Sequence, residues 1–566
     1  MPSPRSRPVP SRDHVLPLAT GIVVAMVRWW FAHERRVFHV APDEPGQLAM
    51  ARWLGGGTRW NMFDHSTWRP GFAVLISPIY WFTDDGGTVV RWALTVSAIL
   101  AGLAAVVLVA VIRRVSDVNV TTAALVATLV ALAPNTVQSS AFVWAEPAVS
   151  LVFLLTVWAL LRFHDADESV GWGCAVLVLA VFGFTVHSRL MALVVPAGVI
   201  VVGTLVWRRR WAHAAVASTV GLAALAISVA GTRVVRRAVW EAPSTINTAG
   251  SVVSRLGDPK AVGEALSGQL WYQSVTTAGL ALVGLIALAV GSRRVATPTR
   301  DTWSARVVVA CTVACLGLSA TFMAGRTRAD QLVYGRYNDS IMWPAAAIGV
   351  LWVVDRSSAG LRRRDLGFVA GAAGFTAAAG ALLHHRHADV FRDDVGVRAM
   401  VSGLLAYVVR RDAVPVGRIS TIAIGLLMVA VLMIAIRHRL GPVRPAGAPR
   451  SIGLAITTVI AVLASFATVA LADMRVRRGE SMGVNAWASE QQVRRIDAVI
   501  PADAPIGVKM VPNAAHPAVG LERQRQRYQL FQLYLPHHEF ASDHGLDDDV
   551  GPYVFAPNGD AELEAA

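Results

Sequence analysis

The sequence predicts an all-α polytopic membrane protein with a small C-terminal α/β extracytoplasmic domain. Three observations carry that expectation. The 566 residues are 54% hydrophobic and only 16% charged, whereas a soluble globular chain is about a quarter charged. Apolar runs of about 17–25 residues recur, each long enough to cross a bilayer. Arginines fall in short clusters between those runs: Arg113-Arg114, Arg208-Arg209-Arg210, Arg293-Arg294, Arg362-Arg363-Arg364 and Arg437 with Arg439. Cytoplasmic connections look like this, because positive charge stays inside. The net charge of +14 is thus assigned to topology and lipid headgroups, and nucleic acid is not an expected partner.

Taken in order, residues 1–14 read as a disordered cytoplasmic lead rich in Pro, Ser and Arg. A first helix over 15–36 lacks a small-residue cleavage site and reads as an uncleaved anchor. The loop 37–78 that follows is too polar to span. Its last part, Trp68 to Phe82, is apolar but short and interrupted by Pro70 and Pro78, which suits an interfacial or re-entrant segment. Trp68, Tyr80 and Trp81 suit the headgroup level. Further spans are expected near 89–112, 119–137, 142–162, 171–188, 190–207, 212–231, 273–291, 306–324, 340–354, 366–383, 419–436 and 451–472, about thirteen in all.

An odd count puts the termini on opposite sides, and the arginine clusters place the N-terminus in the cytoplasm and the C-terminal piece outside. The excess of Arg and Ala over Lys suggests a bacterial source, hence a bacterial inner or plasma membrane. The connection from Arg162 to Val170 runs against the charge pattern with Asp165, Asp167 and Glu168. Acidic residues count little in the rule, so it is a weak exception. Two outer loops hold amphipathic stretches, AVGEALSGQLWYQ and VRAMVSGLLAYVVRR, expected along the interface.

In the tail from Asp473, EQQVRRIDAVI reads as an amphipathic helix, and IGVKMV and PYVFA as short strands. Tyr528, Phe531 and Tyr534 repeat at i, i+3, i+6, a pattern assigned to packing over glycan stacking. Cys174, Cys311 and Cys315 all fall in expected helices, so no disulfide framework is expected.

Polar groups at membrane depth are costly and usually face a cavity or one another. Five groups near one expected face stand out. Asp43-Glu44 opens the first outer loop, where Gln47, Arg52, His65, Trp68 and Arg69 also lie. Adjacent helical residues diverge by about 100°, so only one acid can serve a given atom. A solvated loop pair is the competing reading. Glu146-Pro147 opens a span, where an acid and a proline also suit an ordinary helix start. His187-Ser188-Arg189 sits in an outer turn, with headgroup snorkelling as the alternative for the arginine. Tyr334, Arg336 and Tyr337 precede another span, and a planar guanidinium fork suits phosphate oxygens. The run His384-His385-Arg386-His387 hints at a metal, but an arginine among the ligands is unfavourable. These residues point to no certain cofactor, and a divalent cation at the acid pair stays open.

Four of these motifs occur in an order that resembles the GT-C superfamily of integral-membrane glycosyltransferases, which includes protein O-mannosyltransferases, lipid A aminoarabinose transferases and mycobacterial arabinosyltransferases. The matching residues are Asp43-Glu44 after the first helix, Glu146-Pro147 at a helix start, Arg189 with Pro196 behind it, and Arg336-Tyr337 with Pro344 downstream. The family often has Lys where Arg189 stands, and its acid pair can be Asp-Asp.

The resemblance implies a GT-C-like catalytic module over 15–355, additional transmembrane helices over 356–472 and a small extracytoplasmic domain over 473–566. It implies a polyprenyl-phosphate sugar as donor and an envelope glycan, lipid or protein as acceptor at the outer face. Asp43, with Glu44 beside it, would be the catalytic base of a single inverting displacement. Arg189, Arg336, Tyr337 and Arg69 would hold the donor phosphate. Glu146, His187, His65, Trp68 and Tyr334 would contact substrate. A lipid or solute transporter, a flippase and a non-catalytic envelope-assembly scaffold are the rival expectations. Convergence of Asp43, Glu146, Arg189 and Arg336 on one cavity separates the transferase from them.

Overall fold

The structure, a computed structural model, describes residues 12–38, 43–57, 59–60, 62, 68–116, 118–137, 139, 142–240, 249–292, 300–325, 329–333, 335–393, 414–439, 499–501, 506–509, 532–535, 540–543 and 553–555. His65, Tyr334, the expected span at 451–472 and the amphipathic stretch VRAMVSGLLAYVVRR lie outside these residues, as does most of EQQVRRIDAVI.

The described chain is a helical bundle. Its first helix, α1 (Arg12–Ala32), leads to the loop helix α2 (Asp43–Leu54) and to α3 (Gly71–Ile76), which continues as a 3-10 turn over Ser77–Trp81. Then come α4 (Gly86–Ser116), α5 (Val120–Ala131), the short α6 (Pro134–Val137), α7 (Glu146–Asp165) and α8 (Val170–Val186). A 3-10 turn at Ser188–Leu193 enters α9 (Val194–Trp207), followed by α10 (Trp211–Val239) and α11 (Ala249–Leu256). The second half holds α12 (Pro259–Thr276), α13 (Leu280–Ser292), α14 (Arg300–Met323), the one-turn helices α15 (Ala329–Leu332) and α16 (Arg336–Asp339), α17 (Trp343–Ala359), α18 (Arg363–Asp393) and α19 (Val416–Arg439).

Among the described residues eight helices are long and apolar enough to cross a membrane, or nine if the bent pair α12–α13 is one span. Shorter apolar helices at Gly71–Trp81, Val120–Ala131 and Val170–Val186 lie among them.

Local chemistry sets the element ends. Asn119 caps α5 by accepting from the Thr122 N–H at 2.8 Å, and Pro134 then stops the run expected to continue to 137. Glu146 and Pro147 do open α7, where the proline costs no helical hydrogen bond. The expected span 273–291 straddles a 113° bend instead. Gly279, at φ +80°, makes that turn without a side-chain penalty. The preceding stretch AVGEALSGQLWYQ is also not wholly interfacial, because Gln269, Trp271, Tyr272 and Gln273 are buried.

Packing relies on small residues. α13 and α17 cross so closely that a Cβ added at Gly284 would overlap the Ala345 carbonyl oxygen, and one at Gly349 would overlap that of Leu280. The acidic connection between α7 and α8 is paired with neighbouring arginines. Arg114 donates to Asp165 at 2.7 Å, Arg210 to Asp167 at 2.8 Å, and Arg208 reaches Glu168 at 3.5 Å. Its carboxylates therefore neutralise the basic connections at the same end.

Trp81 and Phe82 are exposed, in keeping with an interfacial segment. Tyr80 and Trp68 pack against α2 instead: Tyr80 O–H donates to the Leu48 carbonyl at 3.4 Å, and the Trp68 indole fills the space over Gly46.

The tail contributes three short parallel strands in the order β2–β1–β3. β1 (Ile506–Lys509) pairs with β2 (Phe540–Asp543), Ile506 opposite Phe540, and with β3 (Tyr553–Phe555), Ile506 opposite Tyr553. The motifs IGVKMV and PYVFA are thus strands as expected. Leu533, Tyr534 and Leu535 are buried in the main core, and Tyr534 O–H donates to the Arg36 carbonyl at 3.4 Å. Tyr534 therefore packs, as the sequence pattern suggested.

Candidate active site

The C-terminal end of α8 and the N-terminal ends of α7 and α17 meet at one end of the bundle, where Arg189 Nη2 lies 3.7 Å from Glu146 and Ser340 O–H donates to the Glu146 carbonyl at 3.2 Å. There α2 and α16 supply the remaining side chains. Asp43 and Glu44, at the start of α2, diverge as adjacent helical residues must. Asp43 Oδ2 accepts from Arg336 Nη1 at 2.5 Å, whereas Glu44 Oε1 accepts from the Val143 N–H at 2.7 Å. Glu44 thus ties α2 to the segment before α7 and is 1% exposed.

Arg336 also donates through Nε to Glu146 Oε1 at 2.6 Å. The same Glu146 oxygen lies 3.7 Å from Arg189 Nη2. Asp43, Arg336, Glu146 and Arg189 thus form one alternating chain of charges. Glu146, Arg189 and Arg336 are at most 6% exposed, so the pairing is tightly screened from water. Such burial is tolerable only because each charge has an opposite neighbour.

Both arginines lie on aromatic faces. The Arg336 guanidinium carbon is 3.5 Å from the Trp144 ring centroid, and that of Arg189 is 3.7 Å from the Tyr337 ring. Arg189 also donates through Nη1 to the Tyr337 carbonyl.

His187, where α8 ends in extended backbone, accepts through Nδ1 from the Arg189 N–H at 3.2 Å. That bond fixes the reversal that turns Arg189 inward. Burial, with Arg189, Arg336 and Arg69 nearby, pushes the His187 imidazole well below its usual value, so it stays neutral. Arg69 lies 4.0 Å from the Phe184 ring, at the edge of the constellation.

The structure therefore brings Asp43, Glu146, His187, Arg189, Arg336 and Tyr337 together, with Trp68 one α2 turn away over Gly46. Sequence reading missed Trp144, Asp339, Asn135, Gln273 and Arg28. Arg28 is buried in α1 and donates to the Ala131 carbonyl at 2.7 Å. A small cavity beside Arg336 is lined by Arg28, Asn135, Trp144, Asp339 and Trp343 among others.

No group of three or more His, Cys, Asp or Glu residues among the described residues is arranged to hold a metal. Arg336 lies between Asp43 and Glu146, where a shared divalent cation would have to sit. In the histidine run, Glu264 pairs with Arg386 and lies 3.7 Å from His387 Nε2, at a kink of α18.

Residues 78–233 match the dolichyl-phosphate-mannose-protein mannosyltransferase family, a stretch that contains Glu146 and Arg189. The fold is similar to ArnT from Cupriavidus metallidurans bound to undecaprenyl phosphate, with TM-score 0.51, 18% identity, and 94% of this chain and 86% of that chain covered. The chain therefore shares the fold of ArnT, and the family match lies within that fold at residues 78–233. Apo ArnT from the same organism gives TM-score 0.50 at 15% identity over the same shares of both chains. Arabinosyltransferase EmbB from Mycobacterium smegmatis gives TM-score 0.43 at 13% identity, covering 84% of this chain and 43% of EmbB. The comparison with curated proteins gives no match.

Proposed function

We propose that the transferase moves a sugar from a polyprenyl-phosphate donor to a cell-envelope glycan, lipid or protein acceptor at the outer face of a bacterial plasma membrane. The N-terminus is then cytoplasmic and the tail extracytoplasmic. The observation that carries this reading is the buried chain Asp43–Arg336–Glu146–Arg189 at one end of the bundle. A transporter would place such groups along a passage, and a scaffold would have no use for a buried alternating chain.

The chemistry follows from the charges. In a polyprenyl-phosphate sugar the anomeric carbon is bonded to a phosphate oxygen. The acceptor oxygen attacks that carbon, its proton passes to Asp43, and the anomeric carbon–oxygen bond breaks. The electron pair leaves with the phosphate, which gains a negative charge. Arg336 and Arg189 meet that charge, and cations already in place at low dielectric stabilise it most. No acid is needed, because the phosphate is a good anion. One displacement inverts the sugar centre.

Asp43 Oδ2 accepts from Arg336 Nη1. An arriving phosphate takes that donor and frees Asp43 to accept a proton, while Glu146 keeps its hold on Nε. Glu146 Oε2 is buried without a hydrogen-bond partner, so it remains available to a sugar hydroxyl.

The test is mass spectrometry of envelope glycans and lipid-linked sugars in a deletion strain complemented with wild type or Asp43→Asn. Accumulated polyprenyl-phosphate sugar and a missing glycan residue, both cured by wild type alone, are expected. A deletion strain with unchanged pools would refute the proposal.

A further inference from the structure

We infer that Asp339 is a positioning residue that clamps α16 and thereby fixes the Arg336 guanidinium between Asp43 and Glu146. This rests on the role proposed above for Arg336. The helix α16 is a single turn, Arg336 to Asp339, and Gly335 before it offers no side-chain cap. Something else must hold so short an element, because isolated helical turns are unstable.

Asp339 supplies that hold. Its Oδ1 accepts from Asn135 Nδ2 of α6 at 2.8 Å and from Gln273 Nε2 of α12 at 2.7 Å. Oδ2 faces the Tyr272 hydroxyl at 3.5 Å. The neighbouring residues extend the clamp: Asn338 Nδ2 donates to Gln269 Oε1 at 2.8 Å, and Ser340 O–H donates to the Glu146 carbonyl at 3.2 Å. Gly335 is pressed onto the Tyr272 ring so closely that a Cβ there would overlap it. One carboxylate thus joins α16 to two helices that are far from it in sequence, three residues from the catalytic cation.

The donors to Asp339 are neutral, which is an expensive way to bury a carboxylate if anchoring a helix were the whole purpose. Burial pushes its carboxyl up to about 7, opposed by Gln273, Asn135 and Tyr272 and reinforced by Glu146. Asp339 also borders the cavity beside Arg336. A misplaced arginine loses its grip on both Asp43 and the phosphate.

The test uses the full-length protein in detergent. Asp339→Leu removes the Oδ1 that accepts from both Asn135 and Gln273. Asp339→Asn keeps that acceptor and turns only the oxygen facing the Tyr272 hydroxyl into an amide, so it removes the charge and leaves the clamp. Two readouts are taken.

Hydrogen exchange of the 335–342 amides should quicken about tenfold or more in Asp339→Leu and stay close to wild type in Asp339→Asn. The acid limb of kcat/KM, set by Asp43 among Arg336, Glu146 and Glu44, should move to higher pH by roughly half a unit or more in Asp339→Leu, because Arg336 no longer favours the ionised base, and should not move up in Asp339→Asn. Loss of folded protein would lower the plateau and leave the limb in place. Simple loss of the Asp339 charge would move the limb to lower pH.

Unchanged exchange in Asp339→Leu, or a limb that stays or moves down in that variant, overturns the clamp. Exchange is read whether or not wild type transfers sugar, so a protein inactive on every polyprenyl-phosphate sugar defeats the proposed function and still decides the role of Asp339.

Discussion

The guanidinium carbon of Arg336 lies over Trp144, 3.5 Å from the ring centroid, two residues before its own carboxylate partner Glu146. The ring supports the cation from one side while its N–H groups reach Asp43 and Glu146, and a desolvated cation on an indole face gains about 2 kcal/mol. Trp144→Ala should therefore lower kcat/KM by about tenfold or more, and Trp144→Phe by only a few-fold. Steady-state kinetics on a polyprenyl-phosphate sugar would measure both.

Asp43 and Glu44 are adjacent but do different things. Asp43→Asn removes the proposed base and should cost about 10² to 10⁴ in kcat. Glu44→Gln keeps an oxygen for the Val143 N–H and should cost less than about tenfold. Equal losses in the two variants would contradict the assignment of the base to Asp43.

Activity should rise with pH along an acid limb governed by Asp43. Burial raises that carboxyl above its usual range, and Arg336 pulls it back. A base acts when deprotonated, so the limb should lie above the ordinary aspartate value of about 3.9. Arg336→Gln should move it higher still, since the counter-ion is gone. The free-enzyme profile of kcat/KM reports this limb.

Arg189 meets Tyr337 through the ring face and the main-chain carbonyl, and neither contact needs the phenol oxygen. Tyr337→Phe should consequently change donor KM by less than about threefold. Arg189→Lys keeps the charge but loses the planar fork, and should raise donor KM by about tenfold. Measured donor affinities for the two variants distinguish the contacts directly.

Much of this site could be read from the chain because its charges interrupt apolar runs. Asp43-Glu44, Glu146-Pro147, Arg189 and Arg336 each stand out against long hydrocarbon segments, where a charge is costly. The divergence of Asp43 from Glu44 followed from helix geometry alone. Trp144 was hidden because an indole near a membrane face is ordinary. Asp339 was hidden within RYNDS, and its partners Asn135 and Gln273 are single amides from segments 204 and 66 residues away. No local pattern announces such a meeting. The bend between α12 and α13 escaped for a different reason: its apolar run is nearly continuous, and only Gly279 marks the break. The strand motifs in the tail were legible from their turn residues, whereas β2 carried no comparable boundary signal.

The crossing of α13 and α17 bears on how this scaffold can be altered. Where Gly284 meets the Ala345 carbonyl and Gly349 meets that of Leu280, no side-chain layer separates the two backbones. A mutation there has nothing to repack, and the N-terminal turn of α17, which follows directly after α16, would be levered outward. Directed evolution of donor or acceptor preference should therefore find its tolerated changes on α2, which meets its neighbours through side chains such as Trp68 and Tyr80. The glycine crossing should tolerate no larger residue in any selected variant.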